Sequence, residues 1–454
     1  MGRIDRRFWI PVVVIAVLGV GLRLAVIQAS EPCGSEAVGG CFPSTGDAFE
    51  YRLVAGSLAD GDGYTTGAGV EAGHHPPAMY TYLAGWRFLG VDGYTGLRRS
   101  TALLGAVTVA LVAAVAFRLG GRRAGWAAAV LAALHPALWI NDVVLMSESV
   151  YQVAAALVAW AGYRFWRRRT LGSAVVLGAA CGLAALSRTE GALLAPLIAV
   201  ALAAGMVELR RRDRLGLVAA VGATAVLVVA PWLHMNATRF EKPALMTTTT
   251  GQSLLLTNQP STYYGNRLGS KAGYEQLGTG SVRAQMEGVD ESTVDARLVE
   301  ASDGFREGNV GRLPVVVVAR IAREWGLYRP SQMAQDDHVI EGRGDRPSDL
   351  AWWAHGLIAP LGLAGVVVLY RRRLPISPLV ALLVAGTFTA AVNFGLTRYR
   401  AGADVALVIA AGVAVIALWD AARTRAHLLQ RTRWGRRPEP GAYPTEFAGS
   451  GGSG

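Results

Sequence analysis

Lysine is nearly missing from this chain: it stands at Lys242 and Lys271 alone, and the rest of the 44 basic residues are arginine. That bias reads as genome composition and carries no mechanistic weight. Charge is also scarce, at 17% of residues against 52% hydrophobic, with a mean hydropathy of +0.32. Such a balance rules out an ordinary soluble protein and fits many apolar helices in a bilayer. Three cysteines are too few for a disulfide scaffold. Cys181 lies in an apolar run and reads as a small core residue. Cys33 and Cys41 share a Gly-rich loop and, on an oxidising side, would be placed to close a short disulfide. No Cys/His pattern with metal-ligand spacing is present, and no small-residue cleavage site follows the first apolar run, so 8–29 is expected to stay as an anchor. The end from Glu446 to Gly454, rich in Gly and Ser, reads as a linker and is left out of the fold expectations.

What the chain has instead is a series of long apolar runs. Ten of them suit roughly 30 Å of hydrocarbon: 8–29, 101–118, 125–141, 147–166, 171–187, 191–208, 215–234, 351–370, 377–396 and 403–422. Net charge is +11, but the arginines come in short clusters between these runs, the pattern of cytoplasmic loops and not of a nucleic-acid stripe. Arg6-Arg7, Arg122-Arg123, Arg167-Arg168-Arg169, Arg210-Arg211-Arg212, Arg371-Arg372-Arg373 and the tail through Arg436-Arg437 all fall on one side if the N-terminus is cytoplasmic. The C-terminus is then cytoplasmic as well. The expected fold class is all-α and polytopic, with about ten transmembrane helices and two long external loops carrying juxtamembrane helices. Four stretches follow: a membrane module over 1–234 that includes the external loop 30–100, an external loop over 235–350, C-terminal spans over 351–423, and a basic tail over 424–454. Loops of such length are usually functional. Within the second, 313–327 is too short to span and is expected to be an interfacial helix, with Arg320, Arg323 and Glu324 on its wet face and Trp325 and Tyr328 as anchors. Its other notable stretches are 247–258, rich in Thr, Gly and Asn, and 292–305, which looks helical. No internal repeat is visible, which counts against transporter folds built from duplicated halves.

Chemistry-bearing residues collect at the external ends of the spans. In Gly46-Asp47-Ala48-Phe49-Glu50-Tyr51, the two acids are spaced i, i+3 and share a helix face. Asp47 reads as a helix N-cap, and a carboxylate fixed near the membrane surface is also a natural general base for a hydroxyl. His74-His75-Pro76-Pro77 reads as an extended turn opening the next helix; adjacent imidazoles diverge, so phosphate or hydroxyl positioning fits better than a metal. Glu148 starts the fourth span, Arg188 and Glu190 join the fifth and sixth, and Arg398-Tyr399-Arg400 joins the last two. Arg23 sits in the outer part of the first. Ionisable groups within a membrane cost on the order of 2.5–3.5 kcal/mol each, which makes them functional candidates; the plainer reading is snorkelling or a structural pair such as Arg188 with Glu148. Guanidinium groups suit phosphate through their planar donors.

Taken together, these residues resemble a GT-C glycosyltransferase, in the branch of protein O-mannosyltransferase-like and lipid A aminoarabinose transferase-like enzymes. The resemblance rests on Asp47 through Tyr51, His74-His75-Pro76-Pro77, Leu186-Ser187-Arg188-Thr189-Glu190-Gly191, the series Pro231-Trp232, Asn236, Phe240, Pro243, Gly251 and Asn258, and the late Arg398-Tyr399-Arg400. Two positions depart from the family pattern: Met235 precedes Asn236 where an Arg is common, and His74 stands where some relatives carry an acid. The resemblance implies transfer of a sugar, mannose or arabinofuranose, from a polyprenyl-phosphate donor with inversion. The acceptor hydroxyl would belong to a glycan, a glycolipid or a protein on the outer face of the cytoplasmic membrane. It implies Asp47 as base, His75, Arg188, Arg398 and Arg400 on the donor phosphate, and Glu50, Tyr51, His74, Glu148, Glu190 and Asn258 around the substrates. No cofactor and no nucleic-acid partner are expected, and a divalent metal is possible but not expected. The alternative is a transporter or flippase of polyprenyl-linked sugars, in which the same residues bind without reacting.

Overall fold

The computed structural model describes residues 6–30, 47–66, 69–272, 289–339 and 343–434. Cys33 and Cys41 lie outside them, as does the tail beyond Trp434. Among the described residues the secondary structure is helical, apart from one isolated bridge between Thr65 and Glu71.

In chain order the helices are α1 (Arg6–Ala29), α2 (Asp47–Asp60), α3 (Ala78–Phe88), α4 (Tyr94–Leu134), α5 (Pro136–Val143), α6 (Glu148–Arg168), α7 (Leu171–Ser187), α8 (Leu194–Ala204), α9 (Arg211–Arg239), α10 (Thr250–Thr257), α11 (Pro260–Tyr263), α12 (Glu291–Gly308), α13 (Leu313–Glu324), α14 (Pro330–Val339), α15 (Asp345–Arg371), α16 (Ser377–Val392) and α17 (Ala401–Trp434). Short 3-10 turns, Thr189–Leu193 and Thr397–Arg400, lead into α8 and α17. Each of the ten expected spans falls mainly on helix. By length and apolar composition, five helices suffice to cross a membrane, and the runs at 171–187, 189–204 and 377–392 are shorter apolar helices.

Two boundaries differ from the expectation, for local reasons. The runs at 101–118 and 125–141 share the 41-residue α4, which is broken at Gly121 by a left-handed φ of 83°. The second run then ends early, because Pro136 cannot continue α4 and His135 before it is extended at ψ 113°.

The spans pack through small residues, as helices do where lipid offers no hydrophobic drive for association. A Cβ on Gly365 of α15 would lie 2.0 Å from the Ala410 carbonyl of α17, and one on Gly178 of α7 would lie 2.4 Å from the Val221 carbonyl of α9. Only glycine allows these backbones so close. A large alanine-rich core runs through α1, α4, α6, α7, α8, α16 and α17. A second apolar cluster, with Tyr51, Val54, Met79, Tyr80 and Leu83 at its centre, joins α2 to α3 as a cap on one end of the bundle.

The arginine clusters gather at the other end. Arg123 pairs with Asp420 at 3.1 Å, and Trp126 Nε1 donates to the Phe8 carbonyl at 3.2 Å. The Arg118 guanidinium lies 5.3 Å from the Trp160 ring, and Arg169 pairs with Glu208 at 2.9 Å.

Helix α13 differs from the expected interfacial helix. At 12 residues it is about 18 Å long and too short to span, but its polar face is turned inward. Arg320, Arg323 and Glu324 are buried, while Val315 and Val318 are exposed. Arg320 donates to the Ala391 and Val392 carbonyls at 3.0 and 3.2 Å, and Arg323 to the Leu268 carbonyl at 2.6 Å. Trp325, expected as a surface anchor, donates instead to Thr387 Oγ1 at 3.0 Å. The reason is the solvent: next to a bilayer the apolar stripe faces outward, and the polar stripe turns into the protein, where Arg320 and Arg323 reach backbone carbonyls.

Candidate active site

Asp47 opens α2 in the cap, and His75 stands before Pro76-Pro77, which lead into α3; Pro77 is already helical at φ −76° and ψ −13°, where an extended turn was expected. The turn before His75 is fixed from the second loop. Thr248 N donates to the Gly73 carbonyl at 2.9 Å, while Glu291 Oε2 accepts from Gly73 N at 2.9 Å and from Thr248 Oγ1 at 2.8 Å. Arg239 at the end of α9 holds the same segment through Glu71 Oε2 at 3.2 Å and the Ala72 carbonyl at 2.9 Å. A Cβ at Gly73 would meet the Phe240 ring at 2.6 Å, so this crossing requires glycine. The result sets the imidazole of His75 with Nε2 3.6 Å from Asp47 Oδ1 and 4.0 Å from Glu50 Oε2. Tyr51 packs on that ring at 4.7 Å between centroids, and Tyr80 donates to Glu50 Oε1 at 2.5 Å.

From the spans come the cations. Arg398 Nη2 donates to Asp47 Oδ2 at 2.7 Å, and its Nε donates to Glu148 Oε1, also at 2.7 Å. Arg188 Nη1 reaches the same Glu148 oxygen at 2.7 Å, while its Nε donates to Glu190 Oε1 at 2.5 Å. The Arg188 guanidinium also lies 5.5 Å from the centre of the Tyr399 ring. Asp47, Arg398, Glu148, Arg188 and Glu190 thus form one continuous chain of charge-assisted hydrogen bonds. These are stronger than neutral ones, and they offset the cost of burying Glu148 fully.

The chain of charges borders a cavity of about 150 Å³, open on one side, whose lining includes Asp47, His74, His75, Arg188, Glu190 and Arg398. The second loop contributes Thr247, Thr249, Gln252, Ser253 and Lys271 to the same lining. Lys271 is buried, with Nζ 5.5 Å from the Phe394 ring, and its backbone carbonyl accepts from Arg267 Nε at 2.7 Å. Reading the sequence set Lys271 aside as a compositional remnant. The available signal was position: one of two lysines stands between a Thr-rich stretch and an amphipathic helix, in a loop too long to be a connector.

The electrostatics are opposed and strong. Burial alone would raise the Asp47 carboxyl, but the Arg398 guanidinium, and after it His75, hold it well below the ordinary carboxylate range. Burial pushes the His75 imidazole down, but Asp47 and then Glu50 outweigh that and raise it above 6.5. The cavity is therefore bordered by an ionised acid and an imidazole biased toward its cationic form.

The expected site residues divide into three groups. Asp47, His74, His75, Arg188, Glu190 and Arg398 border the cavity. Glu50, Tyr51 and Glu148 stand behind them: Tyr51 packs on His75, Glu50 flanks it, and Glu148 spends one oxygen on two guanidinium groups. They orient the site's charges and are not among the residues that line the cavity. Arg400 and Asn258 belong to neither group. Arg400 Nε bonds Asp404 at 3.1 and 3.2 Å and its Nη1 donates to the Glu324 carbonyl at 2.5 Å, outside this cavity. In a 3-10 turn each residue advances about 120°, so positions 398 and 400 point apart. Asn258 donates to Ser302 Oγ and accepts from Tyr263, both at 2.8 Å, and so ties α10 to α12. Arg23 likewise is structural, paired with Asp142 at 2.6 Å.

Among the described residues, no group of three or more His, Cys, Asp or Glu is arranged to hold a metal ion. The described residues form a polytopic helical bundle with five helices long and apolar enough to cross a membrane. Residues 74–234 match the family model described as dolichyl-phosphate-mannose-protein mannosyltransferase. The chain is similar in fold to the archaeal oligosaccharyltransferase AglB of Archaeoglobus fulgidus. It matches the complex of that protein with an inhibitory peptide and a dolichol-phosphate at a TM-score of 0.53, with 17% identity over 94% of this chain and 52% of that one. The apo form of the A. fulgidus oligosaccharyltransferase gives 0.52, with 17% identity and the same coverage of both chains. ArnT of Cupriavidus metallidurans bound to undecaprenyl phosphate gives 0.38, with 16% identity over 88% of this chain and 78% of that one. The chain spans about half the length of the oligosaccharyltransferases it matches. No curated protein matches it in sequence.

Proposed function

We propose that this chain is an inverting glycosyltransferase that moves a sugar from a polyprenyl-phosphate donor to an acceptor hydroxyl, with mannose or arabinofuranose as the sugar. One observation carries the reading: carboxylates and two guanidinium groups from three distant parts of the chain converge on one cavity at one end of an apolar bundle. In the reaction, the acceptor oxygen attacks the anomeric carbon and gives its proton to Asp47. The bond from that carbon to the phosphate oxygen breaks, and polyprenyl phosphate leaves with the electron pair. Arg188, Arg398, His75 and Lys271 stabilise the negative charge that builds on the phosphate.

Asp47 paired with Arg398 is a weak base. A donor phosphate competing for Arg398 draws that guanidinium from Asp47, and the carboxylate becomes more basic when the reactive carbon is in place. Glu148 keeps Arg398 anchored through Nε during the exchange. The arginine clusters at the opposite end of the bundle favour a cytoplasmic location for that end and for both termini, which puts the site on the outer face of the cytoplasmic membrane.

The test is incubation of the purified chain with a synthetic polyprenyl-phosphate sugar and candidate acceptors. Release of free polyprenyl phosphate is expected, and its loss by about 10²–10⁴-fold in Asp47→Asn, the range for removal of a general base. Binding of the donor without any release would favour the flippase reading, and unchanged turnover in Asp47→Asn would remove the base.

A further inference from the structure

A larger cavity lies at the far end of the bundle. Helix α16 separates the two sites: Ser377 at its start lines the far cavity, and Asn393 just past its end lines the first. Sixteen residues put about 24 Å between them. The far cavity is an open groove of about 630 Å³ walled by Trp166 of α6, Ala201 and Leu202 of α8, and Leu374 and Ile376 of the turn between α15 and α16. Arg371 and Arg373 stand at its rim.

Two properties separate this groove from an ordinary lipid-facing crevice. Its wall is apolar while its rim is cationic, and among the described residues neither Arg371 nor Arg373 has a carboxylate partner. Glu208, in the turn after α8, is paired with Arg169 at 2.9 Å. We infer that the groove binds an anionic phospholipid, its phosphate against Arg371 and Arg373 and an acyl chain along Trp166 and Leu202. Charge complementarity favours an anionic headgroup, because the choline cation of a zwitterionic lipid offsets its phosphate beside the two guanidinium groups. The size fits a headgroup with the first part of a chain, within the roughly 300–1,000 Å³ usual for ligand sites. This site has no part in the proposed transfer and stands or falls without it.

The experiment is native mass spectrometry of the full chain released from nanodiscs made with equal phosphatidylglycerol and phosphatidylcholine. The wild type is expected to retain phosphatidylglycerol about 25-fold over phosphatidylcholine. An arginine near an anionic surface contributes about fivefold (about 1 kcal/mol), so R371Q/R373Q should lower phosphatidylglycerol retention by about 25-fold. Ala201→Trp, at an exposed wall position, should fill the groove and lower retention with both arginines kept. R210Q/R211Q/R212Q, outside the groove, should retain the lipid. Equal retention of the two lipids by the wild type overturns the site. So does unchanged retention in R371Q/R373Q or in Ala201→Trp, or an equal loss in R210Q/R211Q/R212Q, which would make the effect one of general charge.

Discussion

Arg398 occupies a position that neither of its carboxylates can share without consequence. Its Nη2 holds Asp47 and its Nε holds Glu148, so substituting it disturbs a base and an anchor at once. Arg398→Lys keeps the charge but not the two-pronged geometry, and is expected to raise KM for the donor by about tenfold or more while D47N mainly lowers kcat. Steady-state kinetics with a polyprenyl-phosphate sugar separate the two. The pH profile tests the hand-over of Arg398. In the free protein the Asp47 carboxyl lies well below 3.8. Its pairing contributes stability above that ordinary value and is lost only as pH falls through the lower folded one. Once phosphate takes Arg398, the acid limb of kcat should lie at higher pH than that of kcat/KM, since the first reports the complex and the second the free enzyme. Coincident limbs would show that Arg398 never leaves Asp47. His75 has the opposite sign: its folded pKa is raised above 6.5, so its stabilising charge is complete below 6.5 and lost as pH rises through the folded value. Donor affinity should weaken on that alkaline limb, and His75→Asn should flatten it in a titration of donor binding.

At the scale of elements, α13 and the 397–400 turn show what could and could not be read in advance. The length and amphipathicity of 313–324 were legible, because both are properties of one helix. Which face turns inward was not, because that depends on whether water, lipid or the carbonyls of α16 lie alongside. Similarly, Arg398 and Arg400 look equivalent as letters, and only the tight turn sends them to different partners. Lys271 escaped notice because its role comes from a fold-back: Gly395 N donates to the Gly269 carbonyl at 2.8 Å and brings the second loop against the last spans. The loop's internal packing supplies a prediction. Gly251 N donates to Asp295 Oδ1 at 2.5 Å, and a Cβ there would sit 2.1 Å from the Asp295 carbonyl oxygen. Gly251→Ala should therefore push α10 from α12, at a cost of about 1–3 kcal/mol. Faster hydrogen exchange over 250–257 and 291–308, with the spans unchanged, is the expected reading; unchanged protection would mean the contact relaxes freely.

Seen as a whole, the molecule keeps two kinds of buried charge apart: one set bordering the cavity, and one that fastens spans. Arg23 of α1 and Asp142 of α5 belong to the second. Both are buried, Arg23 Nε donates to Asp142 Oδ2 at 2.6 Å, and Arg23 Nη1 also satisfies the Gly19 carbonyl at 3.1 Å. Arg23 is the cation paired with Asp142 among the described residues. Removing one partner of a buried pair is costly, about 3–5 kcal/mol, because the other is left as an uncompensated charge; replacing both with apolar groups is often close to neutral. Arg23→Leu should lower the thermal midpoint in detergent sharply, and R23L/D142L should recover most of the loss. The Asp142 backbone carbonyl would still accept from Thr101 in the double variant, which preserves the junction of α4 and α5. Because neither side chain borders the cavity, the double variant should also keep its transfer activity. If R23L/D142L stays folded but inactive, the pair transmits something to the cavity that the contacts between them do not explain. If Arg23→Leu alone is harmless, Asp142 takes up a proton in its place, and the fastening role falls to Thr101 and to Arg98, whose Nε donates to the Val143 carbonyl at 2.5 Å.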